Sequence, residues 1–231
     1  MEREIQARGG SVIGRRGFLA GAAAASLLAL PGCESMRHYS LVEAIRRLLA
    51  LSTQLAFARL MAPGGFWDNQ LARLDLPDML GNRGNVLTTI LTSMVFKERL
   101  QREFNHVAER GARRAAPLVA DAVKVIGIEN ARAILDGGPT AATALLRGQM
   151  AGSLIEAMVP ELGEALRISQ EPLVGQALAA LTGVDVSAVA RDFSADVDNV
   201  IWNEIGREEA GIRADPRSTN DPMLIAVLGV A

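Results

Sequence analysis

The sequence contains few cysteine, histidine or aromatic residues. Of its 231 residues, one is cysteine, two are histidine and 4% are aromatic. A single cysteine excludes a disulfide within the chain and a thiolate metal cluster. The two histidines form no His-x-x-x-His pair, and no glycine-rich nucleotide loop or Gly-x-Ser-x-Gly elbow is present. We therefore expect no metal centre, no cofactor and no recognisable catalytic constellation.

The chain also lacks an excess of either charge. Its net charge is −2, and setting aside residues 1–32, which hold four arginines and two glutamates, makes it −4. Arginines are frequent between residues 99 and 114, but glutamates alternate with them at helical spacing, so their fields largely cancel. A nucleic-acid partner is therefore not expected.

Beyond the first 33 residues, no apolar run approaches the roughly 20 residues that span a bilayer. The shorter apolar run 18–30 follows Arg15 and Arg16 and precedes Cys33. A basic stretch, a short apolar core and a boundary of small residues are typical of a cleavable signal peptide. The predicted divisions are a signal peptide at 1–32, a tether at 33–40 and a single helical domain at 41–231.

The residues around Cys33 resemble the lipobox of bacterial lipoproteins. The match is Leu30-Pro31-Gly32-Cys33, and in such proteins the thiol takes a diacylglycerol before the signal is cut in front of the cysteine. The resemblance implies a lipid anchor on Cys33; the alternative is an ordinary buried or free thiol. Glu34 rather than Asp follows, which by the sorting rule of enteric bacteria favours the inner leaflet of the outer membrane over the inner membrane. The expected location is periplasmic.

The basic stretch resembles the twin-arginine export motif. Arg15, Arg16, Phe18 and Leu19 match it, although glycine precedes the pair and alanine follows Leu19, where Ser or Thr and Lys are usual. The weakly hydrophobic Ala- and Gly-rich core suits this route, which would carry the domain across the membrane already folded. Export of the unfolded chain is the alternative.

Composition and periodicity predict an all-α fold, a single multi-helix domain after the signal peptide. Ala, Leu, Val and Ile provide most of the apolar residues, and they recur at three- and four-residue steps. We expect Phe66 and Trp67 to pack on the core from a loop at 61–79, Gly137 to adopt a left-handed cap, and Pro160 to begin a fresh helix. The predicted helices are 41–60, 86–126 (one helix, or two joined near 111–117), 129–135, one with Thr140 as N-cap, 172–181, 186–213 and 222–228.

Several separated blocks resemble an uncharacterised bacterial family, domain of unknown function 4197. The resemblance extends from about Phe66 to Gly229, and it implies an exported, helical protein without an assigned activity. Two departures are Leu145-Leu146 before Arg147, where an aromatic pair is usual, and Asn130, where Asp is common. The matching blocks are Asn105, Ala108-Glu109, Ala116-Pro117, residues 131–138, residues 141–143, Glu208-Glu209 and residues 212–216.

The same blocks contain the candidate ligand-binding or structural residues. A helix that begins near Thr140 after Asp136-Gly137-Gly138 is able to hold an anion, although a plain helix-hairpin turn is the simpler reading. Glu209 and Arg213 are spaced for an ion pair on one helix, whereas neighbouring Glu208 points elsewhere. The full set of candidates is Asp136, Gly137, Gly138, Thr143, Arg147, Glu208, Glu209, Arg213 and Asp215.

Three hypotheses for function follow. The first is a non-enzymatic, membrane-tethered module that binds an envelope protein, or an apolar ligand between its helices. The second is a hydrolase or transferase acting on envelope material, which requires Asp136, Arg147, Glu209 and Arg213 to meet in one cleft. The third is a purely structural role in the envelope. An apolar cavity would favour ligand binding, and a solid core would favour a contact surface.

Overall fold

A computed structural model describes residues 32–76, 94–168 and 186–229. These residues contain seven α-helices, one 3-10 helix and no strand, which confirms the predicted all-α fold. The chain divides into two compact units, residues 1–39 and residues 40–231. The helices are α1 (Gly32–Leu60), α2 (Met94–Val125), α3 (Ala131–Leu135), α4 (Ala141–Met150), α5 (Ser153–Ile168), α6 (Val186–Ala214) and α7 (Pro222–Leu228), with the 3-10 helix Pro216–Thr219 before α7.

Helix α1 begins earlier than residue 41, so the backbone of the predicted tether is helical. Its core-facing residues, among them Ile45, Leu48 and Phe57, follow the three- and four-residue spacing of one helix face. The helix ends where a turn containing Gly65 begins. A Cβ on Gly65 would overlap the carbonyl oxygen of Arg59, so only glycine lets the chain turn this closely.

The aromatic pair in the following loop has two environments. Phe66 is fully buried, as predicted. Trp67 is only partly buried, and the guanidinium carbons of Arg73 and Arg102 lie over its ring at 4.4 and 5.0 Å from the ring centroid. Trp67 therefore closes the loop through cation–π contacts rather than by entering the core.

Helix α2 is one helix rather than two, although Pro117 lies inside it. Proline removes one backbone hydrogen bond, but buried residues such as Ala115 and Val119 continue the same face on either side of it. Gly111 allows α5 to approach closely, because an added Cβ would lie 3.0 Å from the Leu162 side chain. The predicted start of this helix, at residue 86, lies outside the described residues.

Two local predictions between α3 and α5 are wrong. Gly137 does not adopt a left-handed conformation, because Arg213 donates to the last carbonyls of α3 and no such cap is needed. Pro160 lies inside α5 instead of beginning a helix, since it is exposed while the opposite face stays buried. That buried face is a ridge formed by Leu154, Met158, Leu162 and Leu166, which are spaced four residues apart.

Helices α6 and α7 agree with the predicted 186–213 and 222–228. Helix α6 packs against α5, α4 and α2, and Phe193 meets Phe104 of α2 edge to face at 5.2 Å. Asp221 caps α7 by accepting from the amides of Met223 and Leu224. The predicted helix 172–181 lies outside the described residues.

Candidate functional site

Part of α6 forms a structural clamp built on Glu209. Its carboxylate is fully buried at the N-terminus of α4. Oε1 accepts from the amide of Ala142 at 3.0 Å, and Oε2 accepts from the amide and hydroxyl of Thr143 at 2.7 and 2.6 Å. Thr140 stands at the N-cap position but its side chain makes no capping bond. A carboxylate from another helix thus does the capping, in the favourable field of the helix terminus.

Arg213 completes this clamp at the end of α3. Its Nε donates to Oε1 of Glu209 at 2.8 Å, while its two terminal nitrogens donate to the carbonyls of Leu135 and Ile134 at 3.0 and 3.1 Å. Only 11% of the arginine side chain is exposed. One ion pair on α6 therefore satisfies the C-terminus of α3 and the N-terminus of α4 together. We call Glu209, Arg213 and Thr143 the hairpin clamp.

The clamp occupies the predicted anion site. The amides at the start of α4 already bind the carboxylate of Glu209. Asp136 faces solvent and pairs with Arg132 at 2.7 Å. Gly137 is needed for packing, since an added Cβ would lie 2.8 Å from the Cβ of Ala141. The predicted loop is a helix-hairpin turn whose anion is the protein's own carboxylate.

Arg147 belongs to a different cluster. It donates to Asn199 at 2.6 Å and to Asp198 at 3.3 Å, and Asp198 also accepts from the indole nitrogen of Trp202 at 2.9 Å. Burial raises the pKa of Asp198, and the opposing contacts with Trp202 and Arg147 do not fully offset it. These contacts fix α4 against α6.

Among the described residues, the four side chains of the hydrolase hypothesis do not share a cleft. Glu209 and Arg213 meet in the clamp, Arg147 binds α6 nearer its start, and Asp136 pairs on the surface. Glu208 points away from Glu209, as predicted, and pairs with Arg59 of α1. Within the described ranges, the contacts of these candidates therefore pair none of their carboxylates for acid–base chemistry.

Two further buried carboxylates hold the loop after α1, and sequence reasoning did not assign them. Glu109 of α2 accepts from the amide of Gly64 at 2.9 Å. Glu204 of α6 accepts from Asn69 at 3.1 Å and from Arg207 at 2.7 Å. The sequence signal for them was an acidic residue at a core-facing position of a helix, because a buried carboxylate requires a hydrogen-bond partner. Asp215, by contrast, is exposed and precedes the 3-10 helix without a side-chain cap.

An open apolar groove of about 480 Å³ lies between α1 and α2. Two hydrogen bonds show that these helices run antiparallel. Arg46, early in α1, donates to the carbonyl of Ile126 after the end of α2 at 3.4 Å, and Arg113 of α2 donates to the carbonyl of Met61 after the end of α1 at 2.9 Å. Alanines from both helices line the groove, and their small side chains leave the space open. The lining residues are Ala50, Thr53, Gln54, Phe57, Ala58, Met61, Ala116, Ala120, Val123 and Lys124.

One lining residue is polar, buried and unsatisfied. Thr53 is 4% exposed, and its hydroxyl has no hydrogen-bond partner within the described structure. A buried polar group without a partner costs about 1–3 kcal/mol, so such groups call for an explanation. The sequence did not reveal this groove, although its signal was present as alanines eight residues apart on α1 (Ala50 and Ala58) and four residues apart on α2 (Ala116 and Ala120).

The described residues contain no group of three or more His, Cys, Asp or Glu side chains arranged to hold a metal ion. Their helices include none long and apolar enough to cross a membrane. Cys33 is the second residue of α1. The proposed export residues Arg15, Arg16, Phe18 and Leu19 lie outside the described ranges.

These features define an all-α domain whose buried carboxylates join helices and whose first two long helices leave an apolar groove between them. The chain belongs to the family described as Protein of unknown function (DUF4197), whose model matches residues 35–229. The family resemblance found in the sequence is thus confirmed, and the match begins well before Phe66. No curated protein and no solved structure matches the chain.

Proposed function

We propose that this protein is a lipid-anchored periplasmic module, without enzymatic activity, that binds an apolar ligand between α1 and α2. The groove is the observation that carries the proposal. Its volume of about 480 Å³ is in the range of small-molecule sites, and its lining is mostly apolar with a few polar groups. Of the two carboxylates in the enzymatic alternative, Glu209 joins helices and Asp136 pairs with Arg132 on the surface.

The shape of the groove supports a ligand rather than a packing defect. Side chains elsewhere in the domain form one contiguous core to which all the long helices contribute. Ala50, Ala58 and Ala120 keep the space between α1 and α2 unfilled and open at the surface. Larger residues at these positions would fill the space and remove apolar surface from water, which favours folding. A binding role accounts for their small size.

The membrane attachment that we propose rests on Cys33 and the export motif. A diacylated or triacylated cysteine attaches a protein stably, whereas one chain attaches it only marginally. Intact-mass analysis of the protein from its native envelope tests this. We expect a chain that begins at Cys33 with acyl groups attached; an unmodified cysteine would contradict it. Replacement of Arg15 and Arg16 by lysine should block export by the twin-arginine route.

Ligand binding is tested with the full chain carrying Cys33→Ser, which cannot be acylated. N-phenyl-1-naphthylamine, a neutral apolar fluorophore, should bind saturably with an enhanced emission. Ala120→Trp places an indole in the groove and should abolish saturable binding. Ala144→Trp is the matched control, because Ala144 is an exposed helical alanine outside the groove. Absence of binding to the parent chain, or equal binding by both tryptophan variants, would refute the proposal.

A further inference from the structure

The groove is longer than a compact ligand needs. On α1 its lining extends from Ala50 to Met61, which corresponds to about 16 Å of helix at 1.5 Å per residue. On α2 it extends from Ala116 to Lys124, or about 12 Å. A zigzag hydrocarbon chain with bonds of about 1.5 Å covers these lengths with roughly ten to thirteen carbons.

The two ends of the groove differ in polarity. Because the helices are antiparallel, Lys124 lies opposite the Ala50 end and Ala116 lies opposite the Met61 end. The Ala50 end has Thr53, Gln54 and Lys124 in its lining beside the apolar Ala50 and Val123, whereas the Met61 end is lined by Phe57, Ala58, Met61 and Ala116. The polar lining residues therefore all lie toward the Ala50 end, which we call the polar end of the groove.

A cation with spare hydrogen-bonding capacity lies at the polar end. Arg46 is one helical turn before Ala50, hence on the same side of α1. Within the described part of the chain it makes one hydrogen bond, to the carbonyl of Ile126, and its buried Nε has no partner. The ammonium of Lys124 is exposed and is partly balanced by Asp121 at 2.8 Å. Arg46 is the stronger anion-binding group of the two, since no carboxylate neutralises it among those residues.

We propose that the groove takes one linear acyl chain whose anionic headgroup binds at the Arg46 end. The chain runs from there along the groove to the Met61 end, and a carboxylate or phosphate accepts from the guanidinium, whose forked donors match such groups. This inference rests on the proposed ligand-binding function, because it specifies the chemistry of the same groove.

The headgroup is tested by calorimetric titration of the Cys33→Ser chain with four ligands of equal chain length. These are dodecanoate, dodecyl phosphate, dodecanol and dodecyltrimethylammonium, each below its micelle concentration. We expect both anions to bind at least about tenfold more tightly than the alcohol, the strength of one charge-assisted hydrogen bond. A preference for dodecanoate or for dodecyl phosphate would distinguish a fatty-acid ligand from a phospholipid-derived one. Binding of the cation as tight as that of the anions would overturn the proposal.

Variants assign the headgroup to its residue. Arg46→Gln should weaken dodecanoate binding about tenfold and leave dodecanol binding unchanged, while Arg46→Lys, which keeps the charge but loses the forked donors, should weaken dodecanoate binding less than Arg46→Gln does. Arg47→Gln is the control, because Arg47 is exposed and pairs with Glu43 and Asp221. Equal dodecanoate affinity in Arg46→Gln and Arg47→Gln would overturn the proposal. If the two variants bind dodecanoate equally but still bind dodecanol, the proposed ligand-binding function stands without the anionic headgroup. Failure of every ligand to bind would refute both the headgroup proposal and the ligand-binding function.

Chain length provides an independent readout. From octanoate upward, each added methylene should strengthen binding by up to about fourfold, the value for full burial. The gain should stop near twelve carbons, where the chain reaches the end of the groove. A gain that continues unchanged to eighteen carbons, or dimerisation that Ala120→Trp abolishes in sedimentation experiments, would show a different occupant.

Discussion

Replacement of Glu209 by alanine tests whether the hairpin clamp stabilises the fold. The carboxylate accepts four hydrogen bonds, from the amides of Ala142 and Thr143, the Thr143 hydroxyl and the Arg213 guanidinium. Alanine leaves both amides without their acceptor. It also leaves a guanidinium that is 11% exposed without its counter-charge. The expected effect is a loss of stability rather than of any activity.

The magnitude follows from burial. Removing one partner of a buried ion pair costs about 3–5 kcal/mol, because the remaining charge stays desolvated. For a domain of this size, each kcal/mol corresponds to about 2–4 °C in Tm. Glu209→Ala should therefore lower Tm by roughly 6–20 °C. The double variant with Arg213→Met should lose less than the sum of the single losses, since the two residues are coupled.

Thermal and urea unfolding followed by circular dichroism provide the assay. Asp136→Ala is the matched control, because its pair with Arg132 is exposed on both sides and is worth at most about 1 kcal/mol. If Glu209→Ala were as mild as Asp136→Ala, the buried clamp would contribute little and the reasoning would be refuted. Strict additivity of the Glu209 and Arg213 losses would also count against it.

Two further predictions concern backbone fit and pH. Gly65→Ala should destabilise the fold markedly, because the added Cβ would overlap a backbone carbonyl. Gly148→Ala is the matched control: Gly148 lies on a helix with open space around it, so alanine should stabilise the fold by about 0.5–1 kcal/mol. Comparable unfolding midpoints for the two variants would disprove this. The raised pKa of Asp198 means that its contribution to stability is fully present below the ordinary value of 3.8 and is lost as pH rises through the folded value. Asp198→Asn keeps an acceptor for Trp202 but does not titrate. The free energy of unfolding of the wild type, relative to that of Asp198→Asn, should therefore fall as the pH rises from 3.8 through the folded pKa. A relative free energy of unfolding that does not change with pH would contradict the raised pKa.

Local signals in the sequence were sufficient for several helices. Helix α7 matches its prediction because Asp221 and Pro222 form a cap and first turn that need no distant partner. Asn130 likewise caps α3 by accepting from the amide of Ala133 at 3.1 Å, so the departure from the family's usual Asp keeps the acceptor. Helix α6 ends at Asp215-Pro216 as predicted.

Predictions failed where a distant residue decides local structure. Gly137 needs no left-handed cap because Arg213, far along the chain, donates to the carbonyls that such a cap would satisfy. Pro160 stays within α5 because the buried ridge on the opposite face holds the helix together. Tertiary contacts of this kind override local preference.

The candidate site was the least predictable part. The sequence indicated Glu209 with Arg213 through their four-residue spacing, but the other partners of Glu209, Ala142 and Thr143, are 67 and 66 residues away. The groove depends on the alignment of α1 with α2 across an equally long stretch of chain. Periodicity marks which face of each helix is apolar, but it does not show where two small-residue faces leave a space.

We propose centrally that the groove between α1 and α2 holds a ligand, and native mass spectrometry of the protein purified from the cells that produce it tests this most directly. We expect the wild-type protein to retain a noncovalent amphiphile with a single acyl chain, in a ratio of one to one, and Ala120→Trp to lose it. A wild-type protein with no bound molecule, or the same adduct on both proteins, would contradict the account.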